Sequence, residues 1–511
     1  MSAIEITSPS GKTLKVPTGI FIENEFHKAA EGGPRLSTLN PATGKVLCEV
    51  ECGTSADIDR AVAAGRRAFQ TRWGRKSTPT QRNACLLKLA DLIEAHADEL
   101  GELESLDNGK PRWVATTMDV VDTAGCFRYY AGLADKIEGK TMELDEGTKM
   151  AFTRLEPIGV CAAIIPWNYP LMMLGWKLAP ALAAGNCVVL KPAEQTPLTA
   201  LLIAQLSVEA GFPPGVLSVV NGYGATVGAA MASHMDIDKV AFTGSTLTGR
   251  KIMEAASKSN LKKITLELGG KSPVLVFDDV DIEKAIPWVV IAILFNQGQD
   301  CTAGSRLFIQ SGIYDKFVAR LVAAMKEHGI GDPFDDANFQ GPQITRAQQE
   351  RILGFIESGK QEGAKLELGG GAWQGAKGTP FEGGFWVEPT VFSGCKRGMK
   401  IVDEEIFGPV LAVAKFDTED EAVALGNDTK YGLGAGVFSQ GAARCMRVAG
   451  AIQAGTVWVN NYALLSNAVP FGGAKQSGIG RELGVDAIKE YVQVKSVHWN
   501  YGEDLEWPLR G

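Results

Sequence analysis

Cys301 lies in Phe295-Asn-Gln-Gly-Gln-Asp-Cys301-Thr-Ala-Gly-Ser-Arg306, at the end of a strongly apolar helical stretch from Ile286 to Phe295. A thiol among small and polar residues can attack a carbonyl carbon. Glu267 is a lone carboxylate at an apolar strand end, Leu266-Glu-Leu-Gly-Gly270, and can serve as a base. Asn168, in Ile165-Pro-Trp-Asn-Tyr-Pro170, has an amide able to donate to a developing oxyanion. Singly, each has a plainer reading: a buried small hydrophobe, a salt-bridged strand end, an amide satisfying loop backbone. Together, at strand ends and strand–helix junctions, they point to covalent catalysis on a carbonyl.

Three turns could meet a nucleotide. The strand Lys239-Val-Ala-Phe242 leads into Thr243-Gly244-Ser-Thr-Leu-Thr-Gly249 and then a helix, where backbone N–H groups and the helix start can face a phosphate. Gly222-Tyr-Gly224-Ala-Thr-Val-Gly228 resembles a dinucleotide fingerprint with one residue too many. It either lets an adenine approach or packs a helix. Lys191-Pro-Ala-Glu194 closes a further strand, and a carboxylate there can bind ribose hydroxyls and repel a 2′-phosphate, favouring NAD over NADP. A solvated loop glutamate is the plainer alternative.

The elements that must hold these residues follow from periodicity. The first 130 residues read as mostly helical, with apolar residues at helical spacing over Ala56 to Phe69 and Thr80 to Leu106. From 158 onward strand-like runs (160–165, 187–190, 216–220, 239–242, 264–268) alternate with helical ones (172–184, 198–210, 226–233, 248–257). That alternation predicts a parallel sheet covered by helices. A second alternating block, from Pro273 to about 470, predicts a second α/β domain, with 369–384 as a loop or hairpin. Asp135 to Arg154 reads as a hairpin and Val492 to Trp499 as a strand. These could pair with a neighbouring subunit or pack on their own chain.

Composition narrows the classes. A chain of 511 residues implies more than one core, and 45% apolar with 22% charged residues is ordinary for a globular protein. A net charge of −8 gives no reason to expect nucleic acid or an anionic membrane as partner. Nine scattered cysteines without a CxxC pair suggest free thiols in a reducing compartment, and five histidines without HxH or HxxxH spacing predict no metal site. No basic, apolar leader opens the chain, and the longest apolar run, Ala285 to Phe295, falls well short of the roughly 20 residues a span needs. A cytoplasmic protein is expected.

Seven motifs occur in one order: Pro166-Trp-Asn-Tyr-Pro170, Lys191-Pro-Ala-Glu194, Phe242-Thr-Gly-Ser-Thr246, Leu266-Glu-Leu-Gly-Gly-Lys271, Gly298-Gln-Asp-Cys301, Glu404-Glu-Ile-Phe-Gly-Pro409 and Pro470-Phe-Gly-Gly473. With them the chain resembles, from about residue 20 to about 500, the aldehyde dehydrogenase superfamily, close to its broad-specificity NAD-dependent tetrameric members. The resemblance implies a Rossmann-like NAD-binding domain (1–131 and 153–266), an α/β catalytic domain (267–479) and a small β oligomerisation element (132–152 and 480–511) of a homotetramer built as a dimer of dimers. It implies Cys301 as nucleophile, Asn168 with the Cys301 N–H as oxyanion donors, Glu267 as the water-activating base, and Lys177 and Glu482 as a proton relay. Lys191 and Glu194 would bind the adenosine ribose, and Trp167, Gly244 and Ser245 would lie along the pyrophosphate and nearby surface. Glu405 would hold the nicotinamide ribose, with Phe407 against the cofactor. Ile165, Pro166, Gly224, Gly228, Phe242 and Leu268 complete the implied NAD surface.

By the same resemblance the substrate tunnel would be lined by Tyr169, Met173, Trp176, Leu465 and Phe471, with Asp300 and Thr302 beside the nucleophile. Apolar and aromatic walls suit aliphatic or aryl aldehydes. Leu465 stands where some relatives carry an aromatic, so betaine aldehyde is a second choice. Asp300 departs from the Cys, Ile or Val of many relatives and would raise the thiol pKa if it points inward; outward orientation is equally open. A coenzyme A-acylating enzyme and a non-catalytic binding protein are the alternatives. Glu267 argues against the first, and Cys301, Glu267 and Asn168 together against the second.

Overall fold

The computed structural model describes residues 3–145 and 147–502. Met1, Ser2, Glu146 and the last stretch of the expected oligomerisation segment, 503–511, lie outside the described residues.

Two large sheets carry the chain. The first has eight strands in the order Gly478–Ile479, Lys263–Glu267, Lys239–Thr243, Val160–Ile164, Cys187–Lys191, Leu217–Val219, Ile20–Ile22, Glu25–His27. Its centre is parallel, with Val240 beside Ala162 and Val188 beside Cys161, and both flanks are antiparallel. Every residue of Val160–Ile164, Cys187–Lys191 and Lys239–Thr243 is buried, because helices cover both faces. Such strands read as unbroken apolar runs in the sequence. The second sheet runs Lys365–Leu368, Thr390–Ser393, Val410–Phe416, Arg306–Gln310, Pro273–Val276, Gly434–Phe438, Thr456–Val459 and is parallel except at its first pair. The apolar helix Ile282–Leu294 packs over it; the Asp281 side chain caps its start, and Pro287 sits early in the helix.

The third sheet joins Thr141–Asp145 and Lys149–Pro157 as a hairpin and adds Val492–Asn500 antiparallel to the latter, from Val492 opposite Pro157 to Asn500 opposite Lys149. The C-terminal strand therefore pairs with its own chain. Val494 and Trp499 remain exposed on it.

Elsewhere the structure departs from the expected pattern. Residues 3–51 hold no α-helix but form six short strands, from Ala3–Thr7 to Lys45–Glu51, with one 3-10 turn at Ala30–Gly32. The turns between them include Glu23-Asn24, with φ of 54° and 64°, the left-handed pair that closes a tight hairpin. The Thr80–Leu106 helix is two helices, Pro79–Ala95 and Ala97–Asn108, broken at His96, whose ψ is 23°. Gly224–Gly228 is a π-helical turn leading into Ala229–Ser233.

The segment before Cys301 holds three consecutive left-handed residues, Asn296 (φ 51°), Gln297 (φ 59°) and Gly298 (φ 67°). This reversal lifts the chain out of the Ile282–Leu294 helix. It is clamped by side-chain amides: Asn296 Nδ2 donates to Asn168 O at 3.0 Å and Gln299 O at 3.1 Å, and Gln340 Nε2 donates to Leu294 O. At Gly298 a Cβ would lie 2.3 Å from the Gly408 carbonyl carbon and oxygen. Backbone cannot yield there as a flexible side chain could, so only glycine fits. Gly298→Ala is expected to cost about 3 kcal/mol or more and to abolish activity. Thermal unfolding checks this: an unchanged midpoint with full activity would refute the packing argument.

Candidate active site

A cavity of about 680 Å³ opens where the strand ends of the two sheets converge. It brings together Cys301, Asp300, Thr302, Asn168, Tyr169, Met173, Trp176, Leu465 and Phe471 with Glu267, Leu268, Gly244, Ser245, Pro166, Trp167, Glu405, Phe407 and Glu482. Three residues of the sequence reading stand behind this wall. Lys177 is buried and donates to Thr243 Oγ1 at 2.7 Å and to Glu482. The Ile165 N–H is bonded to Lys191 O, and the Phe242 ring lies where a Cβ on Gly244 would fall. Four residues form a separate cluster. Lys191 Nζ donates to Pro192 O at 2.9 Å and Glu194 Oε2 at 3.3 Å; its stem lies against Gly228; Gly224 has open space beside it.

The half-buried Cys301 follows the left-handed turn. Burial pushes its thiol well above the ordinary range, and the charges of Asp300, Glu267 and Glu405 add to this. Asp300 is anchored: Oδ1 accepts from Thr302 N and Thr302 Oγ1, both at 2.6 Å, and Oδ2 accepts from Tyr169 OH at 2.8 Å. Its orientation, open in the sequence, is thus set along the cavity wall beside the nucleophile. Asn168 Nδ2 donates one hydrogen to Gln299 O at 2.9 Å, two residues from the thiol. An amide nitrogen carries two hydrogens, so a second stays available.

Glu267 ends the strand Lys263–Glu267 and is buried. Burial raises its carboxyl well above the usual range, Glu482 raises it further, and Lys177 and Arg481 oppose the rise. Its Oε2 has no hydrogen-bond partner among the described residues. A carboxyl raised in this way holds a proton more strongly than a surface glutamate does and is a stronger base once ionised. Glu482 reaches it because Phe471 and Glu482 exchange backbone hydrogen bonds at 2.7 Å.

Across the cavity, Glu405 Oε1 accepts from Gly270 N at 2.9 Å, and burial raises this carboxyl too. A Cβ on Gly269 would lie 2.4 Å from Glu405 Oε2, so the glycine makes room for the carboxylate. Phe407 adopts φ 62° and meets Trp167 edge-on, with centroids 5.3 Å apart.

Sequence reasoning missed part of the wall. Asp119, Asp122, Phe295, Gln348, Arg351, Trp458 and Asn467 also line the cavity. Asp119 and Asp122 are three residues apart at the start of the helix Val120–Ala131, a spacing that puts both on one face. That spacing was the available signal, but nothing local says the face meets Trp176.

Residues 27–497 match the model of the aldehyde dehydrogenase family. An aldehyde dehydrogenase of Alternaria alternata is 50% identical over 505 residues, 99% of this chain and 100% of that protein. One of Emericella nidulans is 52% identical over 489 residues, 96% of each. Among solved structures, an indole-3-acetaldehyde dehydrogenase in complex with NAD+ superposes with a TM-score of 0.92 at 42% identity, covering 95% of this chain and 97% of that one. The match over nearly the whole length, with the site assembled in one cavity, shows that this chain belongs to the aldehyde dehydrogenase family.

Proposed function

We propose that the chain oxidises aldehydes to carboxylates with NAD, through a thiohemiacetal and then a thioester on Cys301. The observation that carries this reading is the buried, unpartnered Glu267 oxygen in the same cavity as the Cys301 thiol and the Asn168 amide. The net reaction takes an aldehyde, NAD+ and water to a carboxylate, NADH and two protons.

The residues present fit the dinucleotide. The Lys191–Glu194 pair would hold ribose hydroxyls, and the open space at Gly224 leaves room for a base. Ser245 caps the helix Thr246–Ser257, whose first backbone N–H groups can face phosphate. Glu405 would hold the second ribose, with Phe407 and Trp167 flanking it. Ile165, Pro166, Gly228, Phe242, Gly244 and Leu268 shape the same surface. When bound, NAD supplies the hydride acceptor.

This chain's own groups do the rest. The Cys301 sulfur attacks the carbonyl carbon after losing its proton. The free hydrogen of Asn168 Nδ2 and the Cys301 N–H meet the oxyanion, stabilising charge that appears only during reaction. Hydride departs once the carbon is tetrahedral. Glu267 then takes a proton from water, which hydrolyses the thioester, and Glu482 with Lys177 carries that proton away. A coenzyme A-acylating enzyme needs no such base, which disfavours that reading.

Tyr169, Met173, Trp176, Leu465 and Phe471, with Asp300 and Thr302 at the nucleophile, form the substrate wall, suited to aliphatic or aryl chains. We assign 1–131 and 153–266 to NAD binding, 267–479 to catalysis, and 132–152 with 480–511 to assembly of a homotetramer; the exposed Val494 and Trp499 support the last. No helix among the described residues is long and apolar enough to cross a membrane. A cytoplasmic location accords with the free thiols.

Cys301→Ala should lower NADH formation about 1,000-fold or more while leaving NAD binding intact; measurable turnover at wild-type rate would refute the nucleophile. Glu267→Gln should keep a rapid first burst of NADH, about one equivalent per site, and lose steady turnover, because only deacylation needs the base. Equal loss of burst and steady state would place Glu267 elsewhere in the cycle. Asp300→Asn removes a charge that raises the thiol, so the pH midpoint of Cys301 alkylation should fall. An unmoved midpoint would show that Asp300 acts through packing alone.

A further inference from the structure

The cavity that holds Cys301 is lopsided in charge. Its lining carries six carboxylates, Asp119, Asp122, Glu267, Asp300, Glu405 and Glu482, against one cation, Arg351. Five of the six have a place in the architecture. Glu482 faces Lys177, and Glu267 feels that same lysine and Arg481. Glu405 accepts from Gly270 N, and Asp300 is held by Tyr169 and Thr302. Asp119 is paired with Lys110 through Oδ2.

Asp122 is different. Its Oδ2 accepts from the Trp176 indole N–H at 2.9 Å, and the Asn467 amide adds a second neutral donor. Among the described residues no cation pairs with it. A carboxylate in a desolvated wall without a counter-charge is costly, and here burial raises its pKa to about 6. Two neighbouring acceptors in the same wall are also unsatisfied: Asn467 Oδ1 and the second oxygen of the fully buried Asp119 have no hydrogen-bond partner among the described residues. Asn467 is close by, since its Nδ2 reaches Asp122 O and would lie 3.2 Å from a Cβ on Gly125, one turn along the helix.

The placement along the cavity is informative. Met118, Val121 and Leu465 are exposed at its rim, whereas Asp122 is half-buried just inside. From Asp122 the wall continues through Trp176 to Phe471, whose rings meet at 5.3 Å, and Phe471 is bridged to Glu482. A substrate whose aldehyde reaches Cys301 would lay its alkyl chain on these aromatic faces. Its far end would come to the carboxylate.

We propose that Asp122, with Asn467 and Trp176, forms a subsite for a protonated primary amine, so that the preferred substrates are ω-aminoaldehydes. The proposal rests on the aldehyde-oxidising reading above and names its substrate class. An ammonium carries three N–H donors and no acceptor, which matches a wall of carboxylate and amide oxygens. The Trp176 ring adds cation–π attraction at the same place. An uncharged alkyl end gains nothing from these groups, and a second carboxylate on the substrate would be repelled.

The test compares the NAD-supplied full-length enzyme on 3-aminopropanal, 4-aminobutanal and 5-aminopentanal with the alkanal of matching length for each: butanal, pentanal and hexanal. Wild type should favour the amine at one or more lengths by roughly 10- to 100-fold in kcat/KM. In Asp122→Asn, which keeps an acceptor for the Trp176 N–H, that preference should vanish through KM, with alkanal kcat/KM changed by no more than about two-fold. As a measurement independent of turnover of the amine, n-butylammonium should compete with butanal on wild type and lose that competition in Asp122→Asn. Alkanals oxidised as well as their amine counterparts at every length, or an equal loss for both in Asp122→Asn, would overturn the subsite and leave the parent reading standing. No oxidation of any aldehyde by folded wild type would overturn both.

Discussion

Negative charge crowded into one desolvated space is the constraint on which the rest of this site depends. The Cys301 thiol and the Glu267 carboxyl, which on the proposed reading must ionise and accept a proton, share a cavity with other acids in a largely desolvated space. Burial and the neighbouring acids consequently push both groups well above their ordinary pKa ranges, toward their neutral forms. The few buried cations are therefore decisive. Lys177, placed behind the wall between Thr243 and Glu482, draws protons away from Glu267 without occupying substrate space.

The scaffold supplies this geometry through its sheet topology. In parallel α/β sheets the strand ends on one side all open toward the same crevice. Asn168 follows Val160–Ile164, Ser245 follows Lys239–Thr243, and Glu267 ends Lys263–Glu267, so three neighbouring strands deliver an amide, a helix cap and a buried carboxyl to one crevice. The second sheet brings the nucleophile against them by way of the reversed turn at Asn296–Gly298. Because that turn is locked by amide side chains and by the backbone at Gly408, the thiol is placed by a rigid loop.

That Cys301, Glu267 and Asn168 belong to one cavity was legible in the sequence because chemistry-bearing residues interrupt apolar runs at strand ends. The central strands were readable because burial on both faces removes the polar alternation. The first fifty residues were not, since their strands are short, often half-exposed and mutually paired, and helical spacing farther along dominated the pattern. Asp122 was invisible for another reason. It sits on an ordinary amphipathic helix, and its meaning depends on a tryptophan more than fifty positions away. The anchored carboxylate of Asp300 was visible as a departure, but its direction came only from the Tyr169 hydroxyl.

The short strand Gly478–Ile479 closes the edge of the first sheet against Leu266 and Glu267, and Glu482 meets Lys177 across 305 positions of chain. The site is thus stitched from both ends of the sequence. During synthesis the first sheet must wait with an open flank until its last segment emerges, and Glu482 comes to Lys177 and Glu267 only then. Contacts of such long range are formed late. A translation product that stops short of Gly478 holds the Cys301 thiol without the closing strand or Glu482, and on the proposed reading it has no means of completing a turnover.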